Sequence, residues 1–286
     1  MKIINYFLLF GLLLFTACQA DQNTGNSTPI ALKTDLKTKP VDTEATKQAS
    51  EKIDTINSME TPHASFTPDY IMGKFTPKEH ADFVAIDQAH SSRAGMYLRK
   101  DAYEAFKKMS AAAKAAGINF KIISATRNFA SQKGIWEGKW TGKRLLSDGQ
   151  NAAKAIPDPA TRALKILEYS SMPGTSRHHW GTDIDINNLN NSYFEKGKGL
   201  KEYNWLVANA PSYGFCQPYT PKGEAREHGY NEEKWHWSYQ PVASQLTTEA
   251  KRILQDKDIK GFQGSDTAEK IGVIEKYVLG ISQDCL

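Results

Sequence analysis

Two hydrophobic patterns follow one another along the chain and predict a mixture of helices and short strands. Tyr103, Phe106 and Met109 recur at the spacing of one helix face, and Gly117 follows as a stop signal. Residues 118–122 alternate apolar with polar side chains, which is the period of a half-buried strand. The full prediction comprises helices over residues 101–116, 129–140, 159–169 and 200–208, and strands over residues 118–122, 182–186 and 235–239.

The N-terminus carries a different pattern, a largely apolar run from Ile3 to Phe15 preceded by Lys2. The run is too short for a membrane span and suits the apolar region of a signal peptide over residues 1–17. Its end, Phe15-Thr16-Ala17-Cys18, resembles the lipobox of bacterial lipoproteins, in which the cysteine is acylated. Cleavage beyond Cys18, giving a soluble secreted protein, is the alternative. Both interpretations place the mature chain outside the cytoplasm, in the periplasm or at the cell surface.

Residues 19–65 contain no aromatic side chain and are dominated by polar residues. Such a composition buries too little apolar surface to offset the entropy of ordering. We therefore predict a lipidated, disordered N-terminal segment over residues 18–65 and one folded domain over residues 66–286. The net charge of +4 is small for 286 residues, and acids and bases are interspersed, which argues against a nucleic-acid partner.

Cys216 and Cys285 form an even pair once Cys18 is assigned to a lipid. Disulfides persist outside the cytoplasm, so these two residues are candidates for a disulfide. The alternative is two buried thiols that pack as small hydrophobic side chains. The sequence alone does not choose between them, because it contains no distance.

Two short segments carry the candidate chemistry, Ser176 to Asp185 and Glu233 to His236. Histidine and carboxylate side chains are the ligands of catalytic zinc, which takes three of them and keeps one position open. His178 and His236 suit that role. Asp183 and Asp185 lie two residues apart on one predicted strand, so both point to the same side, and either could complete the set.

Glu233 lies three residues before His236, an odd offset that would place it on the opposite face of a regular strand. If it acts beside the metal, it must lie on the loop or bulge that enters the strand. On the predicted strand, Trp235, Trp237 and Tyr239 would share the face opposite His236.

These segments resemble the VanY-type D-alanyl-D-alanine carboxypeptidases, zinc peptidases whose pattern is Ser-x-His-x-x-Gly-x-Ala-x-Asp followed by Glu-x-Trp-His. Ser176, His178, Gly181 and Asp185 match the first pattern, and Glu233, Trp235 and His236 match the second; Ser124, Arg127 and Gln132 are similar to an upstream block. The chain departs from the family at Asp183, where alanine is usual. We expect this residue to alter the polarity beside the metal without removing a ligand.

The resemblance implies an α+β fold of the lysostaphin, D-Ala-D-Ala peptidase and hedgehog group, a small antiparallel sheet flanked by helices with zinc in the cleft. It also implies one zinc ion held by His178, Asp185 and His236, with Glu233 as the general base that activates the zinc-bound water. Arg127 would bind the substrate carboxylate or stabilise the oxyanion. The remaining contacts to the peptide would come from Ser176 and Gln132.

The expected partners are peptidoglycan stem peptides and a membrane reached through the lipid anchor, and we expect a monomer. Two other functions stay open: a non-catalytic zinc-containing wall-binding lipoprotein, and an L-Ala-D-Glu endopeptidase. Glu233 favours an enzyme, because a binding protein has no need of a general base. D-D and L-D carboxypeptidase specificity are not separated by the sequence. The serine penicillin-binding mechanism is excluded, because no serine has lysine three residues later.

Overall fold

A four-stranded antiparallel sheet carries the two chemical segments side by side. In the computed structural model, which describes residues 66–286, its strand order is β3-β4-β6-β5. A separate antiparallel pair, β1 and β2, precedes it along the chain. The strands are β1 (Phe83–Ala85), β2 (Tyr97–Arg99), β3 (Ile122–Ser124), β4 (Asp183–Ile186), β5 (Phe215–Cys216) and β6 (His236–Tyr239).

Eight α-helices surround these strands in the described part of the chain. They are α1 (Pro68–Ile71), α2 (Lys100–Ala115), α3 (Phe129–Trp140), α4 (Ala152–Ala155), α5 (Pro159–Ile166), α6 (Gly197–Asn209), α7 (Gln240–Ile253) and α8 (Ala268–Ile271). Single turns of 3-10 helix join several of them, and a π-helical turn spans Ile274–Val278. No helix within residues 66–286 is long and apolar enough to cross a membrane.

The alternation of β4 decides what each face of the sheet does. Ile184 and Ile186 point to one side, where they join Trp237 of β6 in a core packed against α2 and α6. Asp183 and Asp185 point to the other side. The register pairs Asp183 with Ser238 and Asp185 with His236, so one face of the central strand pair is entirely polar.

A second hydrophobic core gathers α1, α3, α5, α7 and the C-terminal turns. The C-terminus is joined to this body by a disulfide between Cys216 and Cys285, with an S–S distance of 2.01 Å. Because Cys216 lies on β5, the bond ties the last residues of the chain to the sheet.

The predicted α+β class, with a small antiparallel sheet flanked by helices, is confirmed. The predicted helix 129–140 has the observed bounds; helix 101–116 is shifted by one residue, helix 200–208 is longer, and helix 159–169 ends earlier, at Ile166. The predicted signal peptide, lipidated Cys18 and linker lie outside the described residues.

The predicted strand over residues 118–122 is wrong, because the strand covers Ile122–Ser124. The backbone of the preceding residues makes hydrogen bonds outside the regular ladder. The amide of Ile118 donates to Ala113 at the end of α2, and the amide of Lys121 donates to the Asn187 side chain. The apolar alternation there reflects the burial of Phe120.

Candidate metal centre

Three buried side chains converge on the polar face of the sheet. His178, Asp185 and His236 each offer one ligand atom, and these atoms all lie within 4.8 Å of one another. Asp185 comes from the middle of β4, and His236 is the first residue of β6, directly opposite in the register. The three sequence-predicted metal ligands are therefore brought together by strand pairing and one adjoining turn.

His178 reaches the cluster from the single 3-10 turn Arg177–Trp180, which precedes β4. The turn ends at Gly181 with a φ of 72°, a left-handed conformation that favours glycine. A Cβ there would also lie 2.3 Å from the Phe83 ring. Gly181 thus allows the tight entry into β4 that sets His178 against Asp185.

Hydrogen bonds determine which nitrogen each histidine presents to the cluster. His178 Nδ1 lies 2.9 Å from the Ala125 carbonyl oxygen, which can only accept, so Nδ1 carries the proton. His236 Nε2 lies 2.8 Å from Oδ2 of Asp183 and donates to that carboxylate. The other two ring nitrogens, Nε2 of His178 and Nδ1 of His236, both face Asp185, at 3.4 and 3.2 Å from its oxygens.

Asp185 itself shows why the cluster suits a cation. Its Oδ1 is buried and makes no hydrogen bond to any described residue. A buried carboxylate oxygen without a donor is costly, and a metal ion would satisfy it. Burial acts to raise the pKa of Asp185, yet His178 and His236 together hold it well below its usual value. Two imidazole nitrogens and one carboxylate oxygen are the donor set of catalytic zinc.

Glu233 lies beside the cluster without belonging to it. It precedes β6 in a loop, where its amide donates to Tyr219 and its carbonyl accepts from the His236 amide. Its Oε2 is 3.2 Å from His236 Nδ1. Burial raises the pKa of the Glu233 carboxyl, opposed by the hydrogen bond with His236. The loop position is the one that the odd spacing predicts.

Arg127 approaches the cluster from the segment after β3. Its Nη1 lies 3.8 Å from Asp185 Oδ2 and donates to the Ser124 hydroxyl. Its Nε donates to Gln132 Oε1 at 3.0 Å. With 23% of its side chain exposed, Arg127 remains open to the cleft.

Gln132, predicted as a contact to the peptide, lines the cleft beside Arg127. Both ends of its amide are engaged inside the protein: Oε1 accepts from Arg127, and Nε2 donates to the Ser171 carbonyl at 2.8 Å. The side chain is 1% exposed. The geometry makes Gln132 a support for the Arg127 guanidinium.

Ser176 borders the cleft and is 1% exposed. Its hydroxyl is buried, has no hydrogen-bond partner among the described residues, and lines the cleft. That placement is compatible with the predicted substrate contact.

His179 is buried beneath Arg127. Its Nδ1 donates to the Arg127 carbonyl, and its Nε2 accepts from the Gly174 amide at 3.0 Å. Burial lowers the pKa of His179 to about 3, so the ring is neutral. Its two bonds hold the backbone that carries Arg127.

The cluster opens into a cleft of about 700 Å³. Beyond the predicted residues the lining includes Ile135, Lys139, Arg144, Ser147, Asp148, Glu168, Tyr169, Ser170, Ser171, Leu189, Asn190, Asn191, Tyr219, Tyr230 and Trp235. The Tyr219 ring lies 4.8 Å from the His236 ring, between centroids. Sequence reasoning missed Tyr219 and Lys139, because neither lies within the two chemical segments.

Comparison with known proteins adds a family match. The family model "VanY: D-alanyl-D-alanine carboxypeptidase" matches residues 95–242. The YodJ protein of Bacillus subtilis strain 168 is 29% identical over 165 residues, which cover 57% of this chain and 51% of that protein. A D-alanyl-D-alanine carboxypeptidase of Enterococcus faecalis is 28% identical over 128 residues, 45% of this chain and 42% of the relative.

The chain therefore spans about half the length of these two relatives. Among solved structures, the LD-carboxypeptidase LdcB is similar, with a TM-score of 0.44 and 25% identity; the alignment covers 72% of this chain and 81% of that one.

Proposed function

The chain belongs to the VanY family of D-alanyl-D-alanine carboxypeptidases, and we propose that it is a zinc-dependent peptidase of bacterial peptidoglycan. It would remove the terminal D-residue from stem peptides. The observation that carries the proposal is the convergence of His178, Asp185 and His236 within 4.8 Å, with Glu233 beside them.

The three clustered residues would hold one zinc ion. When bound, zinc supplies a Lewis acid that polarises the scissile carbonyl and makes water a better nucleophile near neutral pH. The contacts of the cluster favour zinc binding. One ring nitrogen of each histidine is engaged by Ala125 or Asp183, so the other nitrogen of each ring faces Asp185 and is placed to bind the ion.

Glu233 would act as the general base. A carboxylate that takes a proton from attacking water must lie near the metal ligands without being one of them, and Glu233 Oε2 lies 3.2 Å from His236 Nδ1. The water oxygen forms a bond to the carbonyl carbon, and Glu233 accepts the released proton. Glu233 then delivers that proton to the departing amine as the amide bond breaks, so proton transfer is balanced within the site.

Arg127 would bind the terminal carboxylate of the peptide. Two of its donors are held by Ser124 and Gln132, while Nη2 makes no hydrogen bond to the described residues. A guanidinium fixed by its other nitrogens loses little entropy when it binds a carboxylate.

Lys139 adds a second cationic side chain to the cleft, in addition to Arg127. Lys139 lines the cleft and donates to the Ser170 hydroxyl at 2.7 Å, with no carboxylate within ion-pair distance among the described residues. Burial lowers the pKa of Lys139. Because stem peptides carry carboxylates along their length, we assign Lys139 to a substrate carboxylate upstream of the scissile bond.

We further propose that the protein works in the cell envelope, anchored by a lipid at Cys18 on the extracytoplasmic side and acting as a monomer. The disulfide between Cys216 and Cys285 supports an oxidising compartment. The apolar N-terminal run supports export.

The test is release of free D-alanine from purified stem pentapeptide and tetrapeptide. The reaction is run with zinc, after chelation, and with Glu233→Gln, which keeps the size of the side chain and removes the base. We expect the substitution to lower kcat by about 100- to 10,000-fold. Glu232→Gln is the matched control, since Glu232 is the adjacent glutamate and does not line the cleft.

Release that requires both zinc and Glu233 would support the carboxypeptidase, and the preferred peptide would separate D-D from L-D cleavage. If folded, zinc-loaded protein releases nothing from either peptide, the carboxypeptidase proposal fails. Digestion of intact sacculi would then distinguish an L-Ala-D-Glu endopeptidase from a wall-binding protein.

A further inference from the structure

Asp183, the residue that departs from the family pattern, lies directly behind the cluster. It is fully buried, and its two oxygens have four partners. Oδ2 accepts from His236 Nε2 at 2.8 Å and from Arg177 Nε at 3.0 Å. Oδ1 accepts from the hydroxyls of Thr182 and Ser238, each at 2.7 Å.

Arg177 completes this buried network from the neighbouring turn. Its side chain is 1% exposed, and each of its three guanidinium nitrogens donates. Besides Asp183, the acceptors are the hydroxyls of Thr247 and Ser238, at 2.9 and 2.8 Å. Its guanidinium carbon lies 4.7 Å from the centre of the Trp180 ring. Arg177 is therefore fixed in this network and holds the Asp183 carboxylate.

We propose that Asp183, clamped by Arg177, is a positioning residue for the metal ligand His236. The carboxylate accepts a hydrogen bond from Nε2, so Nδ1 is the nitrogen that faces Asp185 and the site. The bond also fixes the rotation of the ring. This inference rests on the proposed zinc site and extends it, because Asp183 would raise metal affinity without contacting the metal.

The register of β4 with β6 explains why Asp183 can orient the His236 ring. Asp183 and Asp185 share the polar face of β4, and their partners on β6 are Ser238 and His236. Asp185 therefore meets His236 on the Nδ1 side, while Asp183 meets the far side of the same ring. The His178 ring needs no such carboxylate, because the Ala125 carbonyl orients it. One ligand is held by the backbone and the other by a side-chain network.

The experiment measures zinc affinity by competition with a chromophoric chelator, independently of activity. Asp183→Ala alone would leave the buried Arg177 charge unpaired, so the informative variant is Asp183→Ala/Arg177→Met, which removes both charges. Asp183→Asn keeps an acceptor for the His236 proton. The matched control is Glu202→Gln, a buried carboxylate on α6 that is paired with Tyr193 and does not line the cleft.

We expect the double variant to bind zinc about 10- to 100-fold more weakly, Asp183→Asn to lose less, and Glu202→Gln to match the wild type. Proton–nitrogen spectra of the zinc-bound wild type should show His236 protonated at Nε2 and not at Nδ1. Zinc affinity of the folded double variant within about twofold of the wild type would overturn the inference, as would a His236 proton on Nδ1 in the zinc-bound wild type. A wild type that binds no zinc would overturn the proposed function as well.

Discussion

The buried pair of Arg177 and Asp183 allows a stability prediction that is separate from metal binding. Arg177→Met keeps much of the length and volume of the side chain and removes its charge and all its donors. It leaves Asp183, which is fully buried, without its cationic partner. Burial acts to raise the pKa of Asp183, but Arg177 and the hydrogen bond from His236 keep it below its usual value, so the carboxylate stays charged.

The size of the effect follows from what the variant leaves behind. Breaking a buried ion pair by removing one partner costs about 3–5 kcal/mol. Here the carboxylate retains three donors, from Thr182, Ser238 and His236. These partly compensate the unpaired charge, so we expect the lower end of the range, about 3 kcal/mol. Adding Asp183→Asn should recover part of that loss, because it removes the isolated charge.

The assay is urea unfolding of metal-free protein, followed by tryptophan fluorescence, so that zinc binding does not shift the equilibrium. Arg252→Met is the matched control. Arg252 also pairs with a carboxylate, Glu249, at 2.7 Å, but its side chain is 62% exposed. Exposed pairs contribute little, and the control should unfold close to the wild-type midpoint.

Equal unfolding free energies for Arg177→Met and the Arg252→Met control would refute this reasoning. It would mean that the carboxylate finds an equivalent partner or water when Arg177 is absent. A double variant less stable than Arg177→Met would also contradict it, since the second substitution would then remove stabilising contacts and not an isolated charge.

Three further predictions concern other parts of the molecule. Gln132→Met should raise KM more than it lowers kcat, because the freed Arg127 guanidinium binds the substrate carboxylate less firmly; steady-state kinetics measures this, and an unchanged KM would contradict it. Replacing both disulfide cysteines by serine should cost about 4 kcal/mol in urea unfolding, since the bond closes a loop across 69 residues; a loss near zero would show that the C-terminus is held without it. Burial, followed by the Glu202 hydrogen bond, raises the pKa of Tyr193 to about 12, above the unfolded value of about 10. The stabilising contribution of the neutral Tyr193 phenol is therefore present below pH ~10 and lost as the pH rises toward ~12. The free energy of unfolding of Tyr193→Phe should decline less over that window than that of the wild type, unless the phenol is ionised in the folded protein.

The sequence by itself determined the chemistry of the site. Histidine and carboxylate residues at fixed spacing, with the resemblance they carry, indicated His178, Asp185, His236 and Glu233. Local rules were sufficient for this: the period of a strand put Asp183 and Asp185 on one side, and the odd offset put Glu233 on a loop. Helical periodicity likewise located α2 and α3 to within one residue.

Tertiary structure alone decided which groups meet across the chain. No local rule brings Gln132 to the carbonyl of Ser171, or Arg177 to Thr247 seventy residues away. The role of Asp183 also depended on pairing, because the register of β4 with β6 places it behind the His236 ring. Strand period states which face a side chain occupies, but its partner on that face depends on long-range packing. The chemistry could therefore be read from the residues, while its positioning could be read only from the fold.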